Sequence, residues 1–213
     1  MPSLTLNLTK PGDVVQKLAL NLSKGDRFKV RLAWDGDTDL DLHALVAVNL
    51  GNGAGSKVSS LEDLLSCYNV KRMIRGEESG YLQLAADKTF SVHGGALVHS
   101  PDAVDGHAEG DDEYVTIRPD SLAKPASGYV EIPLVATIHP QNTGKRFRDV
   151  KNAHVYVEDA NGKLLLDVSL SAQFGDFVGV QMGSIMIDAN GSNFAAVGSG
   201  FNGDFNSVLA EFS

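Results

Sequence analysis

The chain has 213 residues, 43% of them hydrophobic and 21% charged, with a formal charge of −9. This length allows one large domain or two small ones with a core that needs no disulfides, and the acidic balance argues against nucleic acid as the main partner. The single Cys67, in "LLSCYNV", cannot form an internal bridge; it reads as a buried thiol in a reducing compartment, with no helix start or basic pocket to activate it.

In chain order, "MPSLTLNLTKPGD" lacks a basic stretch followed by an apolar run, and no later segment reaches the ~18 apolar residues that span a bilayer. The protein is therefore expected to be soluble, not exported and cytoplasmic. The Asn-x-Ser/Thr triplets at Asn7, Asn21 and Asn190 then carry no glycosylation. Leucines alternate with polar residues in "LTLNLT" (Leu4, Leu6, Leu8) and "LALNLS" (Leu18, Leu20, Leu22), two similar strand-and-turn segments fourteen residues apart. "DRFKVRLAW" continues this period, with Phe28, Val30, Leu32 and Trp34 on a buried face and Lys29, Arg31 and Ala33 on a wet one. "NLGNGAGSKVSS" reads as a loop inside one domain spanning residues 1–213, because the strand pattern resumes after it unchanged. "YVTI", "GYVEIPLVATI", "AHVYVED", "KLLLDVSL", "FVGVQMGSIMID" and "NFAAVGSGF" are further strands. Asn161-Gly162 predicts a type I′ hairpin turn and "ANGS" a second hairpin. Short helices are predicted at "SSLEDLL", capped by Ser59 or Ser60, at "KRFRDVKNA" and at "DFNSVLAEF". Many short strands with few short helices imply an all-β fold, an antiparallel β-sandwich of two sheets. The basic clusters, Lys71, Arg72 and Arg75, then Lys145, Arg146, Arg148 and Lys151, read as solvated faces.

Two acidic segments interrupt this pattern. "AWDGDTDLDLHA" places Asp35, Asp37, Asp39 and Asp41 at every second position, and "LVHSPDAVDGHAEGDDE" carries Asp102, Asp105, Glu109, Asp111, Asp112 and Glu113 without one Lys or Arg. At ~6 Å and an effective dielectric of ~20, each close carboxylate pair costs roughly 2 to 3 kcal/mol, so either the loops spread out in water or a cation joins them. In a strand, Asp39 and Asp41 share one face about 6.7 Å apart while Leu40 and Leu42 point to the core. Hard oxygen donors in this number suit Ca²⁺ and would leave Mg²⁺ with most of them unused. Zinc is the competing metal, because His93, His99 and His107 flank the second segment, yet no Cys or His pair has the close spacing of a structural zinc site. An EF-hand is excluded by Leu40 and Val46 where glycine and glutamate are required. No G-x-S-x-G elbow, P-loop or H-E-x-x-H is present, and "GDD" or "DTD" alone points to no polymerase or glycosyltransferase in a chain without long helices.

Taken together, "AWD", "DLDL", "YN", "HSPDAVDGHAEGDDE", "VATIHP", "RFRDVKNAHVYV" and "FAAVGSGF" resemble the tellurium-resistance TerD-like family over nearly the whole chain. The resemblance implies a calcium-binding, non-enzymatic β-sandwich of bacterial tellurite, phage and general stress responses. Its calcium ligands, for one or two ions, would fall on Asp39, Asp41, Asn69, Asp102, Asp111, Asp112 and Glu113, with Asp35, Asp37, Asp105 and Glu109 at places where the family varies. It further implies protein partners in a stress-response complex or assembly, no nucleic acid and no membrane insertion. A calcium-stapled structural or decorating protein of a phage particle is the alternative use of the same fold. The chain departs from the family in extra residues around 50–95 and in Leu42 and His43, where smaller residues are expected.

Overall fold

The computed structural model describes residues 17–20 and 27–213. "LTLNLT", Leu22, Asn7 and Asn21 lie outside the described residues. Along the chain the strands are β1 (Lys17–Leu20), β2 (Phe28–Asp35), β3 (Leu40–Leu45), β4 (Ala47–Asn49), β5 (Leu64–Leu65), β6 (Arg72–Ile74), β7 (Glu77–Ser79) and β8 (Phe90–Val92). They continue as β9 (Leu97–His99), β10 (Glu113–Ile117), β11 (Tyr129–Ile138), β12 (Lys151–Glu158), β13 (Leu164–Ser169), β14 (Gly179–Asp188) and β15 (Gly191–Phe201). Two short helices, α1 (Leu170–Gln173) and α2 (Phe205–Glu211), complete the regular structure.

Thirteen of these strands form two layers, as expected of an antiparallel sandwich, while β6 and β7 pair apart from both. One sheet has the order β1-β15-β14-β11-β3-β5, with β4 also on β11; the other runs β13-β12-β2-β10-β9-β8. The apolar face of β2, Phe28, Val30, Leu32 and Trp34, meets Leu40, Leu42 and Ala44 of β3 and Ile132, Leu134 and Ala136 of β11 in the core between the layers. Residues 50–95 are no mere appendage, since Leu65, Leu82, Phe90 and Val92 all enter this core.

β3 is buried on both faces. Its second face, with Leu45, joins Ala47, Leu64, Val135, Phe205, Val208 and Phe212 in a smaller core under α2. Asp204 caps that helix by accepting from the Asn206 N–H. Pro133 lies inside β11, where a missing N–H should break a ladder. It falls between the pairs Leu134↔Ala44 and Glu131↔Ala47, at the point where β3 gives way to β4. Val46, at that junction, donates instead to the Asp63 carbonyl at 2.8 Å.

Two expected helices are single 3₁₀ turns. "SSLEDLL" closes only over Leu61–Asp63, capped by Ser60, because Leu64 and Leu65 pair with β3. "KRFRDVKNA" closes only over Phe147–Asp149 before β12 begins at Lys151. The β12–β13 hairpin forms, but its turn is not type I′: only Gly162 takes a positive φ, of 75°. The Asp159 carboxylate instead accepts from the Asn161 and Lys163 N–H groups at 2.8 and 2.9 Å, an Asx turn that replaces the second positive φ. The hairpin at "ANGS" and the helix at "DFNSVLAEF" are present as expected.

Candidate metal centre

Asp39 and Asp41 stand at the start of β3, and both are buried. Leu40 and Leu42 point the other way into the main core, as strand alternation requires. Asp41 is held by two donors from the 3₁₀ turn Cys67–Asn69: the Tyr68 hydroxyl at 2.6 Å and the Cys67 thiol at 3.1 Å. Asp39 accepts from the Gln141 amide at 2.7 Å, with His139 Nδ1 3.8 Å away. Asp102, exposed on the loop before β10, brings a carboxylate oxygen within 4.8 Å of both an Asp41 oxygen and Cys67 Sγ.

Glu113 enters from the opposite sheet and is almost wholly buried. Its carboxylate accepts from the Leu42 N–H at 2.7 Å and the Ala103 N–H at 3.2 Å. His99 lies beside it, with Nε2 3.7 Å from Glu113. The His99 ring nitrogens face two carbonyls, those of Ser100 at 2.8 Å and Leu42 at 2.9 Å. Those carbonyls favour the charged ring, but burial outweighs them and lowers its pKa.

The acids here hold their protons unusually tightly. Burial, then repulsion from Asp41, pushes Asp39 up to about 6. Asp41 is raised by burial despite its bonds to Tyr68 and Cys67, and Glu113 is raised well above the usual range by burial and by Asp41. The Cys67 thiol and Tyr68 hydroxyl are also raised, by burial and by the Asp41 charge, in keeping with their roles as donors to that carboxylate. Among the described residues no Lys or Arg pairs with Asp39, Asp41 or Asp102. Oxygen donors that repel one another and lack a protein cation fit a hard divalent ion.

The remaining acids fall elsewhere. Asp111 does not join this group: it is bound by Lys29 at 2.7 Å and Arg31 at 2.5 Å on the outer face of β2. The cations missing from its own segment come from a strand 80 residues earlier in the chain. Asn69 is also otherwise engaged, its amide donating to the Leu61 and Leu64 carbonyls at 2.7 and 2.9 Å. The "YN" pair therefore reaches the site through Tyr68. Asp112 is buried with one oxygen on the Trp34 N–H and the other, Oδ1, without a partner. Burial raises its pKa, and Asp35, Asp105 and Asp111 add to the effect. Asp35 accepts from Asn152, and the exposed Asp37 accepts from His107. Glu109 is exposed on the same loop. Gly36 and Gly106 exchange two backbone bonds that hold this loop against the end of β2, and a Cβ at Gly106 would come within 2.4 Å of the Trp34 ring.

The three histidines do not assemble a zinc site. His93 bonds Asp63, His99 the two carbonyls, and His107 Asp37. Sequence reasoning missed Cys67, Tyr68, His139 and Gln141. The "YN" and "VATIHP" motifs stood within two residues of all four, but which side chain reached the acids depended on the turn.

The family comparison decides the larger question, because the model of the TerD domain matches residues 81–212. The chain belongs to the TerD domain family. Its relatives include the tellurium resistance protein TerZ of Serratia marcescens, 33% identical over 49% of this chain and 50% of that protein. General stress protein 16U of Bacillus subtilis is 28% identical over 55% of the chain and 61% of the protein. The chain thus spans only about half to three-fifths of these relatives. Among solved structures, a homologue of the telluride resistance protein TerD from Streptomyces coelicolor A3(2) superposes with a TM-score of 0.62 at 20% identity, covering 88% of this chain and 96% of that one. A protein of unknown function gives 0.61 at 18% identity, over 87% and 96%. At such identities the likeness concerns the fold. The match to the TerD domain begins at residue 81, yet both sheets of this structure take strands from before that point, β2 and β3 among them.

Proposed function

We propose that this TerD domain is a non-enzymatic calcium-binding protein of the tellurite and general stress response, acting in the cytoplasm through protein partners, with residues 50–95 elaborating a single domain. The observation that carries the reading is the meeting of Asp41, Asp102 and the Cys67 thiol within 4.8 Å, with Asp39 close enough to share their charge repulsion and no Lys or Arg paired with these acids among the described residues. Those three carboxylates would hold the ion. Glu113 would add negative charge from the opposite sheet while positioning the loop at Ala103. A second ion would use Asp112, whose buried Oδ1 has no partner, with Asp105 and Asp35 near it. Calcium, when bound, supplies positive charge that offsets the repulsion and so becomes part of the folding free energy.

The test is a pair of thermal melts, in saturating calcium and in chelator. Calcium at a hundred times its Kd stabilises by about 2.7 kcal/mol, and a matching rise in melting temperature is expected. Asp39→Asn combined with Asp41→Asn should remove most of that rise, whereas Asp111→Asn should leave it in place, since Asp111 serves Lys29 and Arg31. An unchanged melting temperature at saturating calcium would overturn the reading.

A further inference from the structure

The segment between the turn at Cys67–Asn69 and Leu82 holds the feature that calcium binding leaves unexplained. Among the described residues, β6 and β7 pair only with each other, as a two-stranded sheet joined by Arg75 and Gly76, both at positive φ (52° and 87°), the geometry of a type I′ turn. All six strand residues are exposed, and the apolar side chains are exposed with them, Met73 at 69% and Ile74 at 43%. Such a hairpin is marginal alone, but its root is fixed. Lys71 N–H donates to the Leu82 carbonyl at 2.8 Å, Tyr81 N–H to the Asn69 carbonyl at 2.7 Å, and Leu82 is buried in the main core.

Its charges divide by strand, with Lys71, Arg72 and Arg75 on the first side and Glu77 and Glu78 on the second. Cross-strand partners share a face, so Arg72, Ile74, Glu77 and Ser79 lie on one face and Met73 and Glu78 on the other. On the Met73 face Lys71 and Glu78 form an ion pair at 2.9 Å. On the Ile74 face Arg72 and Glu77 have no ion-pair partner among the described residues.

We propose that this hairpin is a dimerisation arm and that its partner is a second copy of the chain. Two hairpins stacked through their Ile74 faces about a two-fold axis along the strands would set β6 of each over β7 of the other. Arg72 would then lie over the partner's Ser79 and extend along the strand to the partner's Glu77, the same contact being repeated from the partner, while Ile74 packs against the partner's Ile74 near the axis and the stem of the partner's Glu77. This is the reciprocal pairing that a two-fold interface demands, and local opposite charges would outweigh the repulsion between two copies of charge −9. Two three-residue strands present a face smaller than the ~800 Å² per partner of a standard interface, so the dimer is a weak, concentration-dependent one.

Sedimentation velocity over a wide concentration range tests the arm on the full chain. The wild type should pass from monomer to dimer as concentration rises. Arg72→Glu or Glu77→Arg alone should weaken association about tenfold or more. The double variant R72E/E77R should restore it, and the two single variants mixed together should form a heterodimer that neither forms by itself. These residues are exposed, and circular dichroism would verify folding of each variant. A wild type that stays monomeric throughout would overturn the proposal, as would a dimer indifferent to both single reversals. None of these outcomes depends on calcium, so failure here is separable from failure of the calcium reading.

Discussion

Asp39 shows what a single buried acid does to a fold. An aspartate whose pKa is raised on folding stabilises fully below the ordinary 3.8, and its contribution is lost as pH rises through about 6. Asn in its place carries no charge at any pH. In chelator, Asp39→Asn should therefore melt close to the wild type near pH 4 and above it at pH 7.5, the gap opening between those values. In calcium at pH 7.5 the order should reverse, because the variant has lost a ligand. Melting curves at several pH values, with and without calcium, check both signs. A D39N variant that melts below the wild type in chelator at pH 7.5 would show that the carboxylate is satisfied without an ion.

At the scale of elements, alternation made seven of the fifteen described strands legible: β2 and β10 to β15 fall where Val, Ile, Leu and Phe recur at every second position or in buried runs. The two lost helices failed for one reason. A helix of a single turn gains little by itself, whereas the residues that follow it gain ladder bonds to β3 or β2. The turn at Asn161-Gly162 was legible as a turn but not as a type, because the Asp159 side chain took over two N–H groups that a type I′ turn leaves to the backbone. Only Gly162 needs the left-handed region. Gly162→Ala should cost about 1 kcal/mol, and Asn161→Ala only a few tenths, as read from denaturant unfolding. Of the acids near the candidate site, Asp39 and Asp41 could be placed on one face by strand alternation, whereas Asp112 and Glu113, adjacent and both buried, came only from the "GDDE" motif, since alternation would send neighbours to opposite faces. The place of Asp111 was not legible: its neighbours in sequence carry no positive charge, and the cations that claim it lie across a strand pair that only the fold brings together.

For the molecule as a whole, β3 and β11 belong to both cores, one between the sheets and one under α2. Phe205 covers the second, its ring 4.2 Å from that of His43, whose pKa burial lowers to about 3. Phe205→Ala should cost about 3 to 5 kcal/mol, yet unfolding should remain one transition by calorimetry, since neither core can open without the shared strands. Two separate transitions would contradict this coupling. The same economy of shared parts operates at the rim of the first sheet. β5 pairs only with Ala44 and Leu45, so Leu42 has no neighbouring strand on that side. Its N–H and carbonyl go instead to Glu113 and His99 of the other layer. Two side chains thus occupy the place of a strand. That rim offers no free backbone pair at Leu42 for a foreign strand to add to, and the residues nearest the acidic site are protected from edge-to-edge aggregation.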